Sequence, residues 1–278
     1  MKVYRRMDIG TGKPPTDKQA EVPYHLIDVV EPSEEFSVAR YVPLADAAIE
    51  EIHARGKQIL VVGGTAMYIK GLSQGMFEGP GRDPEIRAQL RERAQREGLQ
   101  VLHDELRGID PEAAERIHPN DYRRIERALE VFQIGGIPIS KLQTQWASEP
   151  TRFDCRFVGL RRELSDLNRR INTRVKRMLK ADLLDEVKAL LAEDQPLSTQ
   201  ASQAVGYAQL IDHLDGRLSL EDAREQIKIQ SRRLGKMQRT WFKRFLGVDW
   251  FDVERHESVD SVVDRILETT DFQNTRPS

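Results

Sequence analysis

The chain has 278 residues, enough for one large domain or two of ordinary size, with 32% charged and 6% aromatic residues. A formal net charge of −2 excludes whole-molecule attraction to a polyanion, so any nucleic-acid binding must come from local patches. Cys155 is the only cysteine, which excludes an intrachain disulfide and a cysteine-based zinc site, and the six histidines show no ligand spacing. No apolar run approaches the roughly 18–20 residues that span a bilayer. No apolar signal segment opens the chain. The sequence therefore predicts a cytoplasmic protein without a membrane partner.

Near the front, Gly10-Thr11-Gly12-Lys13 looks like part of a phosphate-binding loop, G-x-x-x-x-G-K-[ST]. With Lys13 as its lysine, the first glycine position is Met7, and the hydroxyl position is Pro14, which has neither hydroxyl nor N–H. This is not a phosphate loop. His25 to Val30 reads as a buried strand. Ser37 is a predicted N-cap for a helix in which Val38, Tyr41, Leu44, Ala48, Ile49 and Ile52 recur at helical spacing. Pro43 either kinks that helix or marks its first turn, and Gly56 ends it. Gln58 to Val62 reads as a second buried strand, followed by Gly63-Gly64-Thr65 and a helical stretch from Ala66 to Leu72. Strand–helix–strand–helix order predicts an α/β fold with a parallel sheet.

From about Gly79 the pattern becomes all-helical. Asp83-Pro84 and Asp110-Pro111 each read as an N-cap followed by proline at the first helical position. Asn120 is the expected cap of a helix reaching Phe132, closed by Gly135-Gly136. A helical insertion over 81–150 is thus predicted between 1–80 and 151–270. Phe153 to Leu160 is the last predicted strand, Leu164 to Phe245 reads as helix, and the tail after Thr270 is polar.

Three features carry chemistry. Gly63-Gly64-Thr65 stands where a parallel strand hands over to a helix, the edge at which ligands bind in open α/β sheets. Thr65 either offers its hydroxyl to a ligand or caps the helix. The stretch from His118 to Arg127 is dense in arginine, with Arg123 and Arg127 on one helix face and Arg124 about 100° round. It is either a solvated face paired with Glu126 and Glu130 or a phosphate contact. Finally, Arg161–Lys180 and Ile227–Arg244 are strongly basic, the second with no acid and with Trp241 and Phe242 embedded. Cationic helices with interleaved aromatics can track a nucleic-acid backbone, although the aromatics can equally be core.

In series, VYRRMDIGTGKP (3–14), HLIDVVEP (25–32), FSVARY (36–41), VVGGTAMYIKGL (61–72), HPNDYRRIERALEVF (118–132), RRINTRVKRML (169–179), AVGYAQL (204–210) and QRTWFKR (238–244) resemble the bacterial tRNA dimethylallyltransferases, or tRNA isopentenyltransferases. The resemblance covers almost the whole chain, in order. It implies a core of phosphate-loop NTPase type with nucleotide (ATP-type) binding, and transfer of a dimethylallyl group from its diphosphate to N6 of the adenosine 3′ of the tRNA anticodon. The implied partners are the anticodon stem-loop and dimethylallyl diphosphate, the implied cofactor is Mg²⁺, and the chain is expected to be a monomer. Thr65 matches a threonine near the reaction centre. Met1, Lys2, Thr65, Arg87, Arg123, Arg124, Ile125 and Arg127 match tRNA-contacting positions, the insertion carrying the anticodon contacts. Gly63, Gly64, Arg170 and Arg174 match diphosphate-side positions.

Departures accompany the match. Met1 aligns with the methionine of a D-S-M-Q-like segment, so the family's phosphate loop, first strand and general-base aspartate are expected ahead of Met1. The 278 residues alone are then expected to be inactive and poorly stable, or to form a non-catalytic tRNA-binding short form. A prenyltransferase acting on free adenine nucleotides is the other alternative. Ala208 and Met237 stand where basic residues are usual, and Asp182 stands near a customary glycine.

Overall fold

Helices begin where short polar side chains can take the first free amides. Ser37 accepts from the Arg40 N–H, Asp83 from Glu85 and Ile86, and Asp110 from Ala113, each at its expected position. In a computed structural model describing residues 1–75, 79–143, 151–245 and 247–270, the first helices are α1 (Thr16–Glu21), α2 (Val38–Ala54), α3 (Ala66–Gln74) and α4 (Pro84–Glu97). Next come α5 (Leu99–Ile109), α6 (Pro111–Arg116), α7 (Tyr122–Gly135) and α8 (Ile139–Leu142). After strand β1 (Phe157–Arg161) follow α9 (Leu164–Lys180), α10 (Leu183–Leu191), α11 (Thr199–Ser202), α12 (Tyr207–Leu214) and α13 (Leu220–Phe242), then β2 (Val248–Asp252) and α14 (Val259–Thr270). The expected end of the helical insertion and the polar tail after Thr270 lie outside the described residues. None of the described helices is long and apolar enough to cross a membrane.

The chain divides into two compact units: Met1–Ile69 with Asp154–Ser278, and Lys70–Phe153. In the first, β1 and β2 pair in parallel from Phe157↔Val248 to Arg161↔Asp252. Parallel neighbours need a long crossover, and α9 to α13 supply it. Gly159 lies under the Trp250 ring, where an added Cβ would come within 2.6 Å of it. The class is the predicted one, mixed α/β, but two predicted strands do not form ladders. His25–Val30 contributes only an isolated parallel bridge, Tyr4↔Val30, because Leu26 (φ 61°) and Asp28 (φ 56°) turn the backbone out of the extended region. Gln58–Val62 pairs with no strand among the described residues, and Leu60 and Val62 are 78% and 83% exposed. An apolar run supplies the side chains of a strand but not its hydrogen-bonding neighbour. Strand β2, absent from the sequence reading, is the partner β1 uses instead.

Smaller corrections are local. Pro43 lies inside α2, not at its start. The cap of α7 is Asp121, which accepts from the Arg124 N–H, rather than Asn120, and Gly136 closes the helix in the left-handed conformation. Between α9 and α10, Asp182 adopts φ 64°, ψ 34°, the left-handed conformation that favours glycine. The Asp182→Gly variant should therefore be more stable by about 0.5–1 kcal/mol. Urea denaturation checks this through an upward shift of the midpoint at unchanged slope.

The second unit is helical. Leu90 of α4, Leu102 and Leu106 of α5, Ala113 of α6, Ile125, Leu129 and Val131 of α7 and Ile139 of α8 form one buried cluster. Each fully buried leucine or isoleucine there contributes about 2 kcal/mol of transfer free energy. Above the cluster, Glu130 is enclosed completely. It accepts from the Asp83 N–H at 2.9 Å, from Arg87 at 2.7 and 2.8 Å, and from Arg127 at 2.7 Å.

Candidate functional site

The Gly10–Lys13 loop is built from inside the protein. Lys13, only 4% exposed, donates its ammonium to the Tyr4 carbonyl at 2.6 Å, to Asp8 at 2.6 Å and to Asp28. Its charge is consumed there and is not offered to a phosphate. The successive N–H groups of Asp8, Ile9 and Gly10 all point at the Glu186 carboxylate, at 3.0, 2.7 and 3.3 Å. The Tyr207 hydroxyl donates to the same carboxylate at 2.6 Å. Burial and then this bond push the Tyr207 phenol well above its usual pKa. Sequence reasoning missed both anchors: Glu186 reads as an ordinary acid on an amphipathic helix, and Tyr207 gave only a family match.

Gly12, with φ 61°, lies under the Arg174 guanidinium, which a Cβ at that position would strike. Lys2 sits nearby, and its ammonium is held below the usual pKa by burial and then by the Arg174 charge. No acidic side chain among the described residues pairs with either group. Two cations near one another without an acidic partner among the described residues make the local potential positive, which favours an anion. The Met1 carbonyl accepts from the Tyr4 N–H at 3.1 Å. Arg170, four residues away on α9, is engaged elsewhere. With Arg162 and Arg169 it closes on buried Asp166, at 2.9 Å from Arg170. Burial of Asp166 is outweighed by these arginines, Arg170 first, and its carboxyl is held below the usual range. The expected Arg170–Arg174 pair therefore divides, Arg170 serving an internal network and Arg174 facing outward.

At the start of α3, the Thr65 carbonyl accepts from the N–H groups of Tyr68 and Ile69, while its exposed hydroxyl caps none of the described amides. The helix is pinned through Tyr68, stacked on Tyr41 at 4.5 Å and edge-on to Phe36 at 6.2 Å. Burial, with Tyr4 and Tyr41 beside it, pushes the Tyr68 phenol up to about 12. Gly63 lies outside the left-handed region, and no protein atom is within 4 Å of where its Cβ would be. Neither backbone conformation nor packing requires glycine there, which leaves open room beside the chain.

In the helical unit, Ile125 is fully buried in the core. Helical periodicity turns its side chain inward, away from solvent. Arg87 and Arg127 are likewise occupied: both hold Glu130, and Arg127 also donates to the Pro80 and Gly81 carbonyls. Arg123 and Arg124 remain exposed at the head of α7. Arg124 has Asp121 at 3.4 Å, and Arg123 lines an open hollow of about 550 Å³ with His118, Asn120, Asp121 and Tyr122.

Comparison with known proteins follows these features along the chain. The family model described as IPP transferase matches residues 2–245. A tRNA dimethylallyltransferase of Geobacter sulfurreducens is 45% identical over 94% of this chain and 84% of its own length. One from Geobacillus thermodenitrificans is 42% identical over 96% and 84%. Among solved structures, a tRNA isopentenylpyrophosphate transferase from Bacillus halodurans aligns with a TM-score of 0.69 at 40% identity, covering 96% of this chain and 84% of that one. A eukaryotic dimethylallyltransferase acting on tRNA aligns with a TM-score of 0.80 at 28% identity, covering 100% and 72%. By sequence over nearly its whole length and by fold, the chain belongs to the IPP transferase family.

Proposed function

We propose that the protein transfers a dimethylallyl group from dimethylallyl diphosphate to N6 of the adenosine 3′ of the anticodon in tRNA, as a cytoplasmic monomer. The observation that carries this reading is the Lys2–Arg174 pair, two cations without an acidic partner among the described residues, with Arg174 over Gly12. Relatives named tRNA dimethylallyltransferase at 42–45% identity support it. In this reading Arg174 and Lys2 take the negative charge that grows on the diphosphate as the allyl C–O bond breaks. The Thr65 hydroxyl meets the edge of the acceptor adenine. Gly63 and Gly64 let the reacting groups approach the backbone. Exposed Arg123 and Arg124 contact RNA phosphates, and Met1 lines the acceptor side. Arg87, Ile125 and Arg127 act indirectly, by holding the helical surface that carries those arginines.

The resemblance implies Mg²⁺ on the diphosphate. Among the described residues no three histidine, cysteine or acidic side chains converge as a ligand set. Asp8 and Asp28 are occupied by Lys13. These residues do not fit a protein-held ion, and no step here runs through one.

Deleting the gene from its source organism tests the function. N6-dimethylallyl-adenosine should disappear from digests of total tRNA and return with a plasmid-borne copy. Its persistence at the parental level would contradict the proposal.

A further inference from the structure

A pair of adjacent glycines is the least rigid backbone a chain can place beside a reaction centre. Something must hold it. The Gly64 carbonyl lies two residues ahead of α3, so it takes no part in the helix ladder, yet it is not left to solvent. The Gln238 side chain, reaching from α13, donates its amide N–H to this carbonyl at 3.0 Å. The fit is close on both sides, because a Cβ on Gly64 would strike the same amide. Gln238 stands on a firm platform. Helix α13 has 23 residues, Arg232 donates to Asn172 of α9 at 2.9 Å, and a Cβ on Gly235 would be in contact with Leu167 at 3.8 Å. A long helix braced by a second helix thus grips a turn with no side chains of its own.

We infer that Gln238 is a positioning residue, whose amide fixes the Gly64–Thr65 turn so that the Thr65 hydroxyl faces the acceptor base. The inference rests on the proposed transfer reaction, since it names what orients a group of that site. Gln238 acts through Gly64 and touches no reacting atom. Its amide is neutral, so its loss should leave RNA affinity alone while the rate falls.

The test uses Gln238→Glu, which keeps the shape but replaces the donor by an acceptor, and Gln238→Ala, alone and combined with Gly64→Ala. All are made in the form of the protein that restores tRNA modification in cells. The expected single-turnover loss is about 10- to 100-fold for Gln238→Glu, the range of one lost hydrogen bond plus a displaced reacting group. In Gln238→Ala, which adds no charge, the dissociation constant for unmodified tRNA and the melting temperature should stay at parental values. Amide hydrogen exchange should accelerate at residues 65–69 and not across α13. Gly64→Ala should cost less in the Gln238→Ala background than in the parent, because the obstructing amide is gone. An unchanged rate overturns the inference whatever the exchange shows, and so does unchanged exchange at 65–69. A parent protein with no transfer activity sinks the proposed function instead, and the exchange arm then decides whether Gln238 holds the turn.

Discussion

Replacing Glu130 by alanine is expected to destabilise the helical unit by about 3–5 kcal/mol, the cost of removing one partner from a buried ion pair. For a unit of this size that is a fall in melting temperature of about 15 °C or more. The carboxylate is wholly enclosed and satisfies Arg87, Arg127 and the Asp83 N–H together. Without it, Arg127 keeps the Pro80 and Gly81 carbonyls and Arg87 keeps Glu126 at 3.6 Å, while the Asp83 amide at the head of α4 loses its acceptor. The pH dependence has a definite sign. Burial alone would raise the Glu130 pKa, but the Arg87 and Arg127 bonds outweigh it and hold the group down to about 2, against a usual 4.5. The folded state thus refuses a proton that the unfolded chain accepts. The contribution is complete above about pH 4.5 and is lost as pH falls toward about 2. Denaturant titrations across that window should show a steep loss of stability in the parent and a shallower one in Glu130→Gln. Equal slopes would mean that Glu130 is not held as described.

Arg174→Ala should behave in the opposite way, leaving the fold intact and removing function. Arg174 is exposed, lies over Gly12 and has no acidic partner among the described residues, so its loss strands no buried group there. In the proposed reaction its guanidinium takes charge from a diphosphate leaving group. Removing one such group typically lowers the rate on the order of 10²–10³-fold. Single-turnover transfer and the affinity for dimethylallyl diphosphate should both fall at an unchanged melting temperature. Arg170→Ala should show a smaller rate effect and a measurable loss of stability, because Arg170 serves Asp166. A rate within a few-fold of the parent for Arg174→Ala would assign the leaving-group charge elsewhere.

These two arginine sets illustrate what the sequence made legible. Caps at Ser37, Asp83 and Asp110 were readable because a cap is a contact within one turn. The glycine preference near Asp182 came from the family resemblance, and the left-handed backbone there supplies its physical reason. The Arg127–Glu130 pair was one of the two readings the sequence offered for that face, and Arg170–Asp166 is likewise a contact within one turn of α9. Among the described residues Arg174 has no carboxylate partner. The Glu130 partnership of Arg87 was not readable, because it joins α4 to α7 and only tertiary structure supplies it. Strand pairing failed for the same reason: β1 and β2 find each other across the five helices α9 to α13, and no local pattern records that partnership. Lys13 was excluded as a phosphate ligand by the missing glycine at Met7 and by Pro14, and its burial between Asp8 and Asp28 supplies the physical counterpart.

In the proposed reaction the acceptor is an adenosine held in tRNA and not a free nucleotide. The most direct measurement supplies radiolabelled dimethylallyl diphosphate to the form of the enzyme that restores modification in cells, with unmodified tRNA and AMP present together. Label is expected in the RNA fraction, on N6 of the adenosine 3′ of the anticodon, with none in AMP. Label appearing in AMP, or in neither acceptor, would contradict the proposed reaction.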